Sequence, residues 1–217
     1  MLSIRELFTK HQAQTSEAPL SIRFKNSEGV YLIDENGKKY IDFISGIGVS
    51  NYGHGNVKII EAIKNQAEKH MHLMVYGEFI SDPPALFAHE LVQNIKGDLD
   101  CVYFVNSGAE AIEGAMKLAK KYTNKSKFIA ARNAYHGSTQ GALSLMSNEY
   151  FKQNYRPLLP GVEFIDYNSE ADLEKINDEF AAVVIEAVQA ESGYIPGNKD
   201  FFQKLRKKCD DNGVLLI

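Results

Sequence analysis

Cys101-Val102-Tyr103-Phe104-Val105-Asn106-Ser107-Gly108-Ala109-Glu110-Ala111 joins a short apolar run to a strongly helical one that continues to Tyr122. Cys101 to Val105 is apolar or aromatic without alternation, the pattern of a strand covered on both faces of a parallel sheet. Asn106 or Ser107 can cap the helix that follows, and the small Gly108 and Ala109 leave room for a group to approach the backbone. The unpaired N–H groups at a helix start, with the positive end of the helix dipole, form an anion site suited to phosphate. Read alone, an ordinary capped helix after a strand accounts for the stretch.

Composition sets the outer limits. The 217 residues are 44% hydrophobic and 24% charged, enough to bury the core of one large domain or one and a half. A net charge of −4 gives no reason to expect a nucleic-acid partner. The cluster Lys204, Arg206, Lys207 and Lys208 reads as a solvated helix face. No apolar run approaches a membrane span, and Met1 to Gln14 carries charges throughout, so neither a membrane partner nor a signal peptide is expected and the location should be cytoplasmic. Cys101 and Cys209 are expected as reduced thiols without a catalytic role. No metal site is read from the sequence.

Taken in order, the chain opens with a short helix from Ile4 to about His11 and a loop ending near Pro19, which together read as an arm. Ile22 to Phe24, Val30 to Ile33 and Tyr40 to Phe43 are expected as short strands, with Asn36-Gly37 as a hairpin turn. Ser45 to Gly55 holds Gly46, Gly48, Gly53 and Gly55, which predicts a loop in close contact with something. It lacks the third glycine of a dinucleotide fingerprint. Val57 to Met71 is an amphipathic helix, with Ile59, Ile60, Ile63 and Ala67 on one face. A second starts at Pro83-Pro84 and runs to about Ile95.

Beyond the opening stretch, strands are expected at Phe128 to Ala131, Ala182 to Glu186 and Val214 to Ile217, and helices at Ala171 to about Phe180 and Lys199 to about Asp211. That alternation predicts an α/β fold with a mainly parallel sheet between two layers of helices. In such sheets ligands bind beyond the carboxyl ends of the strands. Three of those ends carry Asn106-Ser107-Gly108, Tyr135-His136-Gly137 and Glu186 to Glu191.

These motifs, with Asp34-Glu35-Asn36-Gly37-Lys38-Lys39-Tyr40-Ile41-Asp42-Phe43, Gly46-Ile47-Gly48-Val49, Gly53-His54 and Tyr135-His136-Gly137-Ser138-Thr139, stand in one order along almost the whole chain. In that order and spacing the chain resembles the N-terminal half of a class III aminotransferase, an enzyme of fold type I that depends on pyridoxal 5'-phosphate. The resemblance implies a small N-terminal α+β segment at residues 1–56 and the first, incomplete part of a large cofactor-binding domain at residues 57–217.

It further implies that Ser107, Gly108 and Ala109 hold the cofactor phosphate, that Tyr135 stacks on the pyridine ring, and that His136 beside it is also a cofactor-binding residue. Glu186 would support the acid that binds the pyridine nitrogen, and Glu191 would be the gate carboxylate. Taken without the family, Tyr135 reads as a core residue and the two carboxylates as exposed loop residues. His54 and His136 read as structural rather than acid–base groups, because the family's proton shuttle is the Schiff-base lysine. That lysine and the pyridine-binding aspartate are expected beyond Ile217, so no catalytic residue lies within this chain. The chain is therefore expected to be a fragment, unable to transaminate alone.

The implied reaction moves an amino group from an amine or amino acid donor to a 2-oxo acid, in a full-length homodimer. The arm Met1 to Pro19 and the helix Val57 to Met71 are the interface candidates. Ser138 stands where relatives acting on ornithine, acetylornithine or 4-aminobutyrate carry an arginine, which favours ω-amine donors with pyruvate. Glu191 favours glutamate or 2-oxoglutarate, with Ala187 and Ala190 departing from the family's proline and glycine around it. The donor stays open. An aminomutase of the same fold and a non-catalytic cofactor-binding remnant stand as alternatives.

Overall fold

The computed structural model describes residues 2–74 and 77–217; Met1 of the arm lies outside the described residues. The chain divides into two units, Met1–Ala85 and Leu86–Ile217.

The first unit starts with α1 (Ile4–His11), closed by a capping box in which Ser3 Oγ accepts from the Glu6 N–H and Glu6 accepts from the Ser3 N–H. Strands β1 (Phe24–Glu28), β2 (Tyr31–Asp34) and β3 (Lys39–Ile41) form an antiparallel meander. The first of them lies downstream of the expected Ile22 to Phe24. Asn36-Gly37 makes the expected turn, with Gly37 at φ +83° and Asp34 Oδ1 accepting from the Asn36 and Lys38 N–H groups at 2.9 Å each. A single distorted turn, α2 (Ser45–Gly48), has Gly46 and Ile47 in the left-handed region. The glycine loop does make a close contact, with the unit's own backbone. Gly29 and His54 exchange two hydrogen bonds, and a Cβ on Gly53 would stand 3.1 Å from the Gly29 carbonyl oxygen. Helix α3 (Val57–Lys69) follows, capped by Asn56. Helix α4 (Asp82–Asn94) starts at the expected prolines. No described residue before Met116 is buried, so the apolar face of α3 stays open.

The second unit holds the main sheet. Helix α5 (Gly108–Thr123) leads to β4 (Lys127–Ala131), then the short helices α6 (Gln140–Ser144) and α7 (Glu149–Lys152), β5 (Val162–Ile165) and β6 (Phe180–Val184). A two-residue hairpin pair, β7 (Val188–Gln189) and β8 (Ile195–Pro196), precedes α8 (Lys199–Asn212) and β9 (Leu215–Leu216). The four parallel strands run in the order β5-β4-β6-β9. Alternate side chains enter two cores. Ile129, Val183 and Val214 pack with Phe201, Leu205 and Cys209 of α8, whereas Phe128, Ala130, Ala182 and Val184 pack with Met116 and Ala119 of α5. Both faces are therefore covered, which is why these strands are apolar without alternation.

Two expectations fail. Cys101 to Val105 forms no strand, and Tyr103 is 79% exposed. No strand among the described residues runs beside it, and an apolar run without a ladder partner does not become a strand. Phe104 instead stacks on Phe87 at 5.6 Å. Ala171 to Phe180 yields only a 3-10 turn, Ala171–Lys175, because Asn177 Oδ1 turns back to accept from the Glu179 N–H. The edge strand β5 was not foreseen.

Candidate functional site

The start of α5 is where the anion-site reading is tested. Ser107 Oγ accepts from the Glu110 N–H at 3.1 Å, and its own hydroxyl proton remains for another acceptor. The Ala111 N–H donates to the Ser107 carbonyl, while the amides of Gly108 and Ala109 find no acceptor among the described residues. Glu110 turns back to accept from the Asn106 N–H and Nδ2 at 2.7 and 3.0 Å, so its carboxylate is already satisfied. The space where a Gly108 Cβ would stand is open. Two unpaired amides and one hydroxyl at a helix N-terminus form a donor set for a dianion such as a phosphate ester.

The segment Arg132 to Thr139, at the carboxyl end of β4, lies against this helix start. A Cβ on Gly137 would fall 2.7 Å from the Ala109 Cβ, so only glycine allows that approach, and its φ of +130° also favours glycine. The Tyr135 N–H donates to Glu186 Oε2 at 3.1 Å, which ties the end of β4 to the end of β6. The Tyr135 ring is 43% exposed, not the core residue a family-free reading expects, and its hydroxyl lies 3.3 Å from Ser138 Oγ. His136 is buried, its Nε2 has no hydrogen-bond partner among the described residues, and burial pulls its pKa down to about 4. The ring is therefore neutral at physiological pH.

The β7–β8 hairpin is fastened to the same segment. Gln189, also buried, donates from Nε2 to the Arg132 carbonyl at 2.8 Å, and Ser192 Oγ donates to the Asn133 carbonyl at 2.7 Å. Glu186 Oε1 accepts from the Ala190 N–H at 3.4 Å. Glu191 lies exposed in that hairpin turn, with no ion pair among the described residues.

Thus Ala109, Tyr135, Gly137 and Glu186 are brought together, Ser107 and Gly108 stand on the adjoining helix start, and Glu191 stands apart on the hairpin. His54 belongs to the other unit, where its Nε2 lies 2.7 Å from Asp42 Oδ2 and its backbone pairs with Gly29. Among the described residues no group of three His, Cys, Asp or Glu side chains could hold a metal ion.

Three contributors were not read from the sequence. Glu113 receives hydrogen bonds from Thr139, Gly141 and Ala142; the signal is its position four residues after Ala109, on the same helix face. Gln189 stands inside the Glu186 to Glu191 motif with no role of its own assigned by the sequence, and Asn133 adopts φ +59°, which asparagine tolerates.

A sequence profile described as aminotransferase class-III matches residues 12–217. An acetylornithine aminotransferase of Aquifex aeolicus is 40% identical over 207 residues, covering 92% of this chain and 54% of that protein. A [LysW]-aminoadipate semialdehyde/glutamate semialdehyde transaminase of Sulfolobus acidocaldarius is 40% identical over 191 residues, covering 88% and 49%. Among solved structures, an adenosylmethionine-8-amino-7-oxononanoate aminotransferase of Methanocaldococcus jannaschii superposes with a TM-score of 0.86 at 31% identity, over 97% of this chain and 53% of that one. A taurine:2-oxoglutarate aminotransferase of Bifidobacterium kashiwanohense, in complex with PLP and glutamate, gives 0.89 at 25% identity, over 98% and 54%. The chain spans about half the length of the curated relatives it matches. The α/β fold expected from the resemblance is the one observed, matched over about half the length of those solved structures. The chain belongs to the class-III aminotransferase family.

Proposed function

We propose that this chain forms the phosphate- and ring-holding part of a pyridoxal 5'-phosphate-dependent aminotransferase, moving an amino group from an amine or amino acid donor to a 2-oxo acid. The observation that carries the reading is the pair of unpaired amides at Gly108 and Ala109, with Gly137 pressed onto Ala109. That approach supports the reading of Tyr135 as an aromatic neighbour of a phosphate site. Residues 57–217 are proposed as the first part of the large cofactor-binding domain, and residues 1–56 as an arm with a small antiparallel segment.

Pyridoxal phosphate supplies, when bound, the conjugated electron sink that amino-group transfer needs. The amides of Gly108 and Ala109 and the Ser107 hydroxyl bind the phosphate oxygens. Tyr135 offers its exposed ring as a face for the pyridine and shields it from water, held by the Glu186 carboxylate through its backbone N–H. His136, proposed next to it as a further cofactor-holding residue, is neutral and so contributes contact rather than charge to the site. Glu191 is the proposed gate carboxylate, and its exposure in the hairpin supports access from solvent. Ser138 offers a hydroxyl rather than a guanidinium, so a substrate carboxylate would need its cation from elsewhere.

Two free cysteines support a reducing cytoplasmic location, and no described helix is long and apolar enough to cross a membrane. A homodimer is proposed for the full-length enzyme, with α3 as a contact candidate because Ile59, Ile60 and Ile63 are all exposed. The test is the absorbance of the protein from its native source with pyridoxal phosphate, before and after borohydride reduction, alongside its intact mass. A visible band that reduction removes, with amino transfer to pyruvate or 2-oxoglutarate, is expected of a polypeptide about twice this length. Absence of any bound cofactor in that polypeptide would refute the reading.

A further inference from the structure

The cradle proposed above is assembled from two pieces of chain, the start of α5 and the Tyr135–Gly137 segment, whose relative placement must be held. Glu113 is the side chain that spans them. Its Oε1 accepts from Thr139 Oγ1 at 2.7 Å, the Gly141 N–H at 2.7 Å and the Ala142 N–H at 3.2 Å. Burial pulls the Glu113 carboxyl upward, but hydrogen bonds from Thr139, Ala142 and Gly141 outweigh it and hold the group below the ordinary carboxylate range. The group stays ionised wherever the protein is folded near neutrality, and its charge faces the start of α6.

The geometry of α5 explains why this contact matters four residues away. Ala109 and Glu113 are one helical turn apart on the same face. Ala109 abuts Gly137, and Glu113 takes the hydroxyl and amides of Thr139 to Ala142. The segment is thus fastened at two successive points along α5, and Glu186 fastens its other side through the Tyr135 N–H. A contact at one point alone would let the segment pivot; two points set both its distance and its tilt.

We infer that Glu113 is a positioning residue for cofactor binding, fixing the spacing between the Gly108 and Ala109 amides and the Tyr135 ring. The inference rests on the proposed cofactor reading. Its test uses the full polypeptide with Glu113→Gln, Thr139→Val and, as a comparator in the other core, Leu205→Ala. In the cofactor-free protein, Glu113→Gln should raise hydrogen exchange at the Gly141 and Ala142 amides and at Tyr135. It should weaken pyridoxal phosphate binding about tenfold and change the induced circular dichroism of the bound cofactor. Thr139→Val, which removes one donor to the same oxygen, should move both readouts the same way by less. Leu205→Ala should lower stability while leaving cofactor affinity of the folded protein and its dichroism unchanged.

Faster exchange at Gly141 and Ala142 with affinity held within about twofold in Glu113→Gln would overturn the inference, leaving Glu113 as a helix cap. So would an equal loss of affinity in Leu205→Ala, which would make the effect one of stability alone. Failure of the unsubstituted polypeptide to bind pyridoxal phosphate would instead count against the cofactor reading, and the two failures are therefore separable.

Discussion

At the scale of single residues, His136 carries a cost set by pH. Its ring is buried with Nε2 unpartnered among the described residues, and burial holds its pKa near 4 against 6.5 when exposed. A folded-state value below the unfolded one means that the unfolded chain binds the proton first. Stability is fully present above about pH 6.5, falls as pH drops toward 4, and levels off below it. The expected loss across that window is about 3 kcal/mol. Urea unfolding of the protein and of His136→Asn at pH 7 and pH 4 measures it: the variant should lose less stability than the parent by about that amount, and parallel pH profiles would exclude this role for His136. The Asp42 carboxyl of the first unit, held below the usual carboxylate range by the Ser45 N–H and by His54, contributes separately, so the comparison between parent and variant is the quantity to read.

At the scale of elements, the short helix α6 depends on a carboxylate from α5 rather than on a cap of its own, since Thr139 makes no side-chain capping bond to it. A Cβ placed on Gly141 would lie 2.2 Å from Glu113 Oε2. Gly141→Ala should therefore drive the carboxylate away and cost about 1–3 kcal/mol, the penalty for leaving buried donors unpaired. In a Glu113→Ala background the same substitution should cost much less, and a double-mutant cycle in urea reads the coupling. Strict additivity would mean that the two residues do not act on each other.

The helices α3, α4, α5 and α8 were legible because each combines a cap or proline signal with a 3.6-residue apolar period. The Asn36-Gly37 turn and three of the four sheet strands were legible for similar local reasons. Residues 101–105 were misread because a strand is a property of a pair, and the sequence of one run says nothing about whether a partner lies beside it. At the site, Ser107 and the Tyr135-His136-Gly137 segment announce themselves by type and order. Glu113 does not, because an exposed-looking glutamate in a helix reveals its role only when the loop that it receives is in place.

At the scale of the whole molecule, burial is unevenly distributed along the chain. Every described residue before Met116 keeps some exposure, whereas β4, β6 and α8 supply the closed cores. The amphipathic pattern of Val57 to Met71 was readable in the sequence, but the pattern states only that a face is apolar and not what covers it. The two cysteines fall on either side of this division. Cys101 is exposed, while Cys209 is buried against α8's own core and its thiol is pushed up to about 11. Thiolate is the reactive form, so the native protein should titrate one thiol quickly with a disulfide reagent and yield its second only when that core opens. Thiol counting against time then becomes an internal clock for the opening of the sheet, running without any added probe of structure.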